Sequence, residues 1–285
     1  MNKPEHQKLN RAYSKSVKFA KSHYENFPVV SFLIPKKLRK HVAIVYWFAR
    51  TADDYADEGN FSEDERLEKL NNFEYRLKQL LIGKAESDYE IALANTINEK
   101  NLTTENFYNL IKAFRQDVIK NRYENFDEVI DYCKYSANPV GRLILELFDI
   151  HSEEANIYSD KICTALQLTN FLQDVSIDYK KGRIYLPQDE MEMLQITEKL
   201  FEHKENNHKL KQLVKHNVDR AQNLLDEGKK LFPLLRGRLK VEIIWTVAGG
   251  EEILDQIRKS DYNVLNNRPE LSKTRMVTLF LKSLF

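Results

Sequence analysis

Apolar residues in this chain return every three or four positions over most of its length, and no stretch alternates long enough to make a convincing strand. The spacing predicts helices over 38–58, 62–81, 88–99, 104–121, 126–135, 140–148, 156–175, 187–201, 204–231, 241–260 and 273–284. Ser62-Glu63-Asp64-Glu65 reads as a capping box, Thr104 as a helix start, and Gly59, Gly83, Pro139, Gly182 and Pro233 as breaks. Only 8 Gly and 7 Pro occur, and no Pro-, Gly- or Ser-rich stretch suggests a linker, so the expectation is one all-α domain over residues 1–285, a helical bundle whose central helices carry the polar exceptions.

Two of those exceptions have the same form. Asp53 and Asp57 stand four residues apart within Ala49-Arg50-Thr51-Ala52-Asp53-Asp54-Tyr55-Ala56-Asp57-Glu58, and Asp174 and Asp178 repeat the interval. One turn of helix stacks such side chains about 6 Å apart, where like charges destabilise an isolated helix. In the second motif Gln167, Asn170, Asp174 and Asp178 fall at offsets 0, 3, 7 and 11, a single polar stripe among Leu166, Leu168, Phe171, Leu172, Val175 and Ile177. Acids on a helix otherwise this apolar must face a partner, a metal ion or an internal cavity.

Charge narrows the partners. Lys and Arg number 44 against 43 Asp and Glu, a formal net charge of +1, so the chain lacks the field of a nucleic-acid binder. The longest apolar run, 42–49, is far below the roughly 20 residues of a membrane span, and the opening MNKPEHQKLN has no signal-peptide core. Cys133 and Cys163 have no metal-ligand spacing and read as reduced core thiols. The expected location is cytoplasmic, and loose attachment to the inner face of a membrane is compatible with it.

Asp and Asn oxygens without a His or Cys cluster favour a hard cation, and few protein ligands suit Mg²⁺ completed by water and phosphate oxygens. Two acidic helices facing a cavity could hold a diphosphate through bridging Mg²⁺, neutralising a leaving group as a carbon–oxygen bond ionises. Arg50 and the run Lys180-Lys181-Gly182-Arg183 could add direct cation contacts. The hydrocarbon and the carbocation would then need aromatic walls, for which 15 Phe and 14 Tyr are a permissive supply.

These residues resemble the squalene and phytoene synthase family of head-to-head prenyl synthases from about Lys15 to near the carboxyl end. Arg50 to Asp57 looks like the family's first aspartate motif and Gln167 to Asp178 like its second, followed by Gly182-Arg183-Ile184-Tyr185-Leu186-Pro187. Tyr132-Cys133 resembles the element whose tyrosine is catalytic, and Asp261-Tyr262-Asn263-Val264-Leu265 with Arg268 a carboxyl-terminal segment. The resemblance implies an isoprenoid synthase bundle around a central cavity. Asp53, Asp57, Asp174 and Asp178 would be metal ligands, Arg50, Gln167, Asn170, Arg183 and Tyr185 diphosphate contacts, and Tyr132 the catalytic group.

A narrower resemblance, to the bacterial branch that makes hydroxysqualene, rests on His23-Tyr24-Glu25-Asn26-Phe27-Pro28-Val29, Phe114-Arg115-Gln116-Asp117-Val118 and Ser136-Ala137-Asn138-Pro139-Val140-Gly141-Arg142. The family's usual serines near Tyr24 and Asn26 are absent, and Ser136-Ala137-Asn138 stands where Val-Ala-Gly is usual. That branch implies presqualene diphosphate as substrate, water capture of the rearranged cation, and pathway enzymes before and after. Condensation of two farnesyl or geranylgeranyl diphosphates is the alternative within the family. A non-catalytic assembly role is the alternative outside it, and the four retained aspartates weigh against that role.

Overall fold

The computed structural model describes residues 3–22 and 33–284, so His23 and Tyr24 lie outside the described residues. These residues form fourteen α-helices and one 3₁₀ helix, with no strand among them: α1 (Lys3–Ser22), α2 (Lys36–Asp57), α3 (Glu63–Leu81), α4 (Asp88–Lys100), α5 (Glu105–Ile119), α6 (Phe126–Ser136), α7 (Asn138–Leu147), α8 (Glu153–Gln173), α9 (Val175–Lys180), α10 (Gln188–Met193), α11 (Lys199–Glu202), α12 (His208–Gly228), the 3₁₀ helix Lys229–Leu234, α13 (Gly237–Lys259) and α14 (Lys273–Lys282). They group into two compact units, one from 1–119 with 139–152 and the other from 120–138 with 153–285.

In the first unit the apolar run of α2 makes the core. Val42, Ala43, Ile44, Val45 and Phe48 are buried, with Phe48 edge-on to Phe107 of α5 at 5.0 Å and Trp47 stacked on Tyr89 of α4 at 4.5 Å. Each buried Val, Ile or Phe here contributes about 1.5–3 kcal/mol by leaving water. Both α3 and α4 begin with complete capping boxes, Ser62 with Glu65 and Ser87 with Glu90, which satisfy amide groups the helix cannot.

Helix α1 was not legible in the hydrophobic pattern. Its inner face is Leu9, Ala12, Tyr13, Ser16 and Ala20, correctly spaced but mostly small. It is held by a polar knot. His41 Nδ1 lies 2.9 Å from Thr96 Oγ1 and its Nε2 3.2 Å from Glu99; the Tyr13 hydroxyl is 2.8 Å from Thr96 Oγ1 and accepts from Asn95 at 2.9 Å. This network assigns the neutral tautomer in which Nε2–H donates to Glu99 and Nδ1 accepts from Thr96.

The second unit is organised on α8. Helix α12 approaches it so closely that a Cβ on Gly228 would lie 2.5 Å from Ile162 Cγ1 and 3.1 Å from the Ile162 backbone nitrogen. Gly250 of α13 abuts Leu166 on the same helix. Two expected helices differ from the pattern. The segment 187–201 divides into α10 and α11 because Gln195 takes a left-handed φ of 55° and turns Ile196 into the interior. The segment 204–231 begins only at His208, capped by Asn207, and tightens into the 3₁₀ helix that contains Pro233.

Two measurements test these contacts. Gly228→Ala is expected to lower stability by about 1–3 kcal/mol in urea unfolding followed by circular dichroism, since the methyl group meets backbone. Burial drives His41 down to about 4; Glu99 opposes the shift, and Lys40 and Lys100 reinforce it. The unfolded chain takes up this proton near pH 6.5 and the folded chain does not, so the stability contributed is whole above pH 6.5 and is lost as pH falls towards 4. His41→Gln is therefore expected to be less stable at neutral pH but to lose stability less steeply below it, by up to about 1.4 kcal/mol per pH unit.

Candidate active site

Within the first unit, the last two turns of α2 carry the first acidic motif. Arg50 reaches forward along its own helix, with Nη1 3.1 Å from Asp53 and Nη2 2.8 Å from Asp54. Ala52 and Ala56, both buried, let neighbouring helices approach this end of α2. Its terminal carbonyls are satisfied by Arg66 of α3, which donates to Ala56 at 2.8 Å, Glu58 at 3.1 Å and Gly59 at 2.9 Å. The acid-bearing turn is thereby pinned by a residue that carries no acid chemistry itself.

A further acid faces this turn from α5. Asp117 is buried, and it joins Asp57 and Asp54 in raising Asp53. Burial is the main cause of a shift that takes Asp53 to about 7; Arg50 opposes it, and the three carboxylates reinforce it in the order Asp57, Asp117, Asp54. Sequence reasoning missed Asp117 as a site residue, although a signal existed: with Phe107, Leu110, Ile111 and Phe114 it continues the apolar face of α5, where an acid is out of place. Arg115 points elsewhere, bonding Glu74 at 2.5 Å.

The second motif lies at a helix junction. Helix α8 ends at Gln173, Asp174 leaves the helical region at φ −106° and ψ 12°, and α9 begins at Val175. The bonds Asp174 N–H to Asn170 O and Asp178 N–H to Asp174 O persist at 2.9 and 2.8 Å, so the stripe Gln167, Asn170, Asp174, Asp178 continues across a kink rather than along one straight helix. All four are half-buried; of the apolar residues read around them, Leu168, Phe171, Leu172 and Val175 are buried, Leu166 is half-buried and Ile177 is exposed. Gln173 fixes the junction by donating to the Pro269 carbonyl at 2.7 Å, and Arg268 donates to Asp174 at 2.6 Å.

Beyond α9 the chain is held edge to edge with 121–124. Ile184 donates to the Asn121 carbonyl, Gln188 to that of Tyr123, and Arg122 clasps Glu198 at 2.7 and 2.8 Å while also bonding the Gly182 carbonyl. This places Arg183 beside Asp178 on a small recess shared with Phe171, Val175, Tyr185 and Phe201. Tyr185 stacks on Phe171 at 3.7 Å, and Tyr132, buried on α6, packs against Phe171, Tyr185 and Tyr123 with centroids 5.7–5.9 Å away. The structure thus gathers Tyr132, Tyr185, Arg183 and Asp178 in one neighbourhood, together with Tyr123, which the sequence did not single out. Cys133, next to Tyr132, is fully buried and its thiol is pushed up by burial, as expected of an inert core thiol.

The donors around both motifs are oxygen, and the crowding that raises Asp53 is what a hard divalent cation relieves. Among the described residues no three His, Cys, Asp or Glu side chains converge into a protein-only cage.

This architecture is that of the all-α isoprenoid synthases. A model of the squalene/phytoene synthase family matches residues 20–275, and the chain belongs to that family, whose members process prenyl diphosphates. It is 43% identical over 179 residues to the hydroxysqualene synthase of Zymomonas mobilis, a match spanning 61% of this chain and 58% of that protein, so just over half the relative's length is covered. It is 33% identical over 258 residues to the hydroxysqualene synthase of Sinorhizobium fredii, covering 89% of this chain and 85% of the relative. The crystal structure of squalene synthase HpnC from Alicyclobacillus acidocaldarius superposes with a TM-score of 0.84 at 38% identity, over 90% of this chain and 96% of that one.

Asp117→Asn removes one of the like charges that raise Asp53, so Asp53 is expected to ionise at lower pH in a carboxyl-carbon NMR titration. An unchanged midpoint would separate Asp117 from the acidic cluster.

Proposed function

We propose that this chain is a hydroxysqualene synthase: it ionises presqualene diphosphate, and water captures the rearranged cation to give hydroxysqualene and diphosphate. The observation that carries this reading is the rigid group of aromatic rings, Tyr132, Tyr185, Phe171 and Tyr123, beside the Asp178–Arg183 recess. In this reading it supplies the aromatic surroundings of a carbocation next to groups suited to the diphosphate that leaves. Relatives carrying that activity in their names add support at the level of sequence.

In this reading Asp53, Asp57, Asp174 and Asp178 hold Mg²⁺, which supplies charge neutralisation to the diphosphate when bound. Arg50, Gln167, Asn170, Arg183 and Tyr185 contact the diphosphate. Arg50 is engaged by Asp53 and Asp54, so its phosphate contact would exchange one carboxylate oxygen for a phosphate oxygen. Heterolysis leaves the electron pair of the carbon–oxygen bond on the diphosphate, and the buried rings stabilise the cation while excluding water until rearrangement is complete. Capture forms a carbon–oxygen bond to water and releases a proton; no hydride is required. Tyr132 is the catalytic group in this reading. The chain would act in the cytoplasm between an enzyme that supplies presqualene diphosphate and one that removes the new hydroxyl reductively.

The test is product analysis by gas chromatography and mass spectrometry with purified protein and Mg²⁺, presqualene diphosphate and farnesyl diphosphate being supplied separately, each with and without NADPH. Hydroxysqualene is expected from presqualene diphosphate without NADPH, with farnesyl diphosphate untouched. Asp174→Asn is expected to cut turnover by about 100-fold or more while leaving the circular dichroism unchanged. Consumption of farnesyl diphosphate would assign the chain to the condensing enzymes instead.

A further inference from the structure

The carboxyl end of α6 holds a hydroxyl that the fold does not satisfy. Ser136 Oγ is shielded from solvent although the residue as a whole is half-buried, and no hydrogen-bond partner reaches it among the described residues. A hydroxyl inside a helix usually bonds the carbonyl one turn back, as Ser16 does to Ala12 at 3.1 Å and Thr169 to Ala165 at 2.7 Å. Ser136 makes no such bond. A buried hydroxyl left unpaired costs free energy, so its position calls for a ligand.

Two contacts fix where this hydroxyl stands. Tyr132, one turn earlier on α6, meets Phe171 of α8 at 5.9 Å, and Asn138, at the start of α7, accepts from Thr164 Oγ1 of α8 at 3.0 Å. As the chain advances from 132 to 138 its partner on α8 recedes from 171 to 164, so the two segments run antiparallel and Ser136 falls between the contacts. Thr164, Leu168 and Phe171 share one face of α8 at offsets 0, 4 and 7. Thr164 is paired with Asn138, and the buried Leu168 between the contacts has nothing to bond. Side chains on a helix lean towards its amino end, which directs Ser136 towards Tyr132 and the ring group it forms with Phe171 and Tyr185.

We propose, on the reading of this chain as a hydroxysqualene synthase, that Ser136 positions the water that captures the rearranged cation. Its oxygen accepts a hydrogen bond from the water, which turns a water lone pair towards the cation. That pair forms the new carbon–oxygen bond, and the proton the water loses passes to the diphosphate, the base that ionisation itself produces. A water held at one point is in place when rearrangement ends. Without it the cation is quenched by losing a proton from a neighbouring carbon to the same diphosphate, which gives an alkene.

The test is the product ratio from presqualene diphosphate with Mg²⁺ and no NADPH, counted per diphosphate released, for wild type, Ser136→Ala and Ser136→Thr, with circular dichroism and thermal unfolding of each. Wild type is expected to give hydroxysqualene. Ser136→Ala is expected to raise the ratio of alkene to hydroxysqualene by about tenfold, the effect of one hydrogen bond on the capture step. It is also expected to melt no lower than wild type, since the hydroxyl it removes has no protein partner. Ser136→Thr keeps the hydroxyl and is expected to restore the wild-type ratio. A folded Ser136→Ala protein with an unchanged ratio would overturn the assignment: a raised KM for presqualene diphosphate would then make the hydroxyl a substrate contact, and a lowered melting temperature a structural one. Loss of all diphosphate release in that variant would place the hydroxyl in ionisation instead of capture, and would also overturn it. Wild type that makes no hydroxysqualene would overturn the functional reading itself, and the assignment with it.

Discussion

Carboxylates crowded on half-buried helix faces repel one another and lose hydration, and much of the surrounding structure exists to hold them there. Around Asp53 the cost is visible as an acid that ionises only near neutrality, despite Arg50 one turn away. Asp57 and Asp117 add to that cost rather than relieve it. A helix left to itself would fray or rotate such a face towards water. Here Arg66 ties off the carbonyls at the end of α2, and the small Ala52 and Ala56 keep the turn packed against its neighbours. In the proposed reading a bound cation relieves that repulsion.

The same logic operates in the second unit by different means. Asp174 stands at a break between two helices, where Gln173 and Arg268 anchor the backbone and one carboxylate oxygen. The close approach of α12 to α8 at Gly228 makes α8 a rigid support for this junction. The strand-like pairing of 184–188 with 121–123 then brings Arg183 and Tyr185 from beyond α9 back to Asp178 and Phe171. Charge and aromatic surface meet because a loop is held by backbone hydrogen bonds, not because they are neighbours in sequence.

Membership of the squalene/phytoene synthase family ties the chain to prenyl diphosphate chemistry, and in the proposed reading the acids hold the leaving diphosphate. In the same reading the aromatic group matters as much as the acids. A carbocation in water is captured at once; one held between buried rings can rearrange first. Tyr132 is positioned by three ring contacts, and its place is therefore set by packing as well as by any bond its hydroxyl makes.

By itself the sequence determined the helical class, nearly all the helices and the two acid pairs, because 3.6-residue periodicity and i,i+4 spacing are local properties of the chain. It also carried the family resemblance, which the comparison with known proteins bears out. Helix α1 escaped because Ala and Ser on its inner face give a weak hydrophobic signal even where they are fully buried. The division of 187–201 escaped because one left-handed residue, Gln195, decides it. Tertiary structure alone decided that Asp117 faces Asp53, that Arg268 meets Asp174 across 94 residues of chain, and that Tyr123 joins Tyr132 and Tyr185. Those contacts join residues distant in sequence, and no periodicity along a chain encodes which helix another helix will touch.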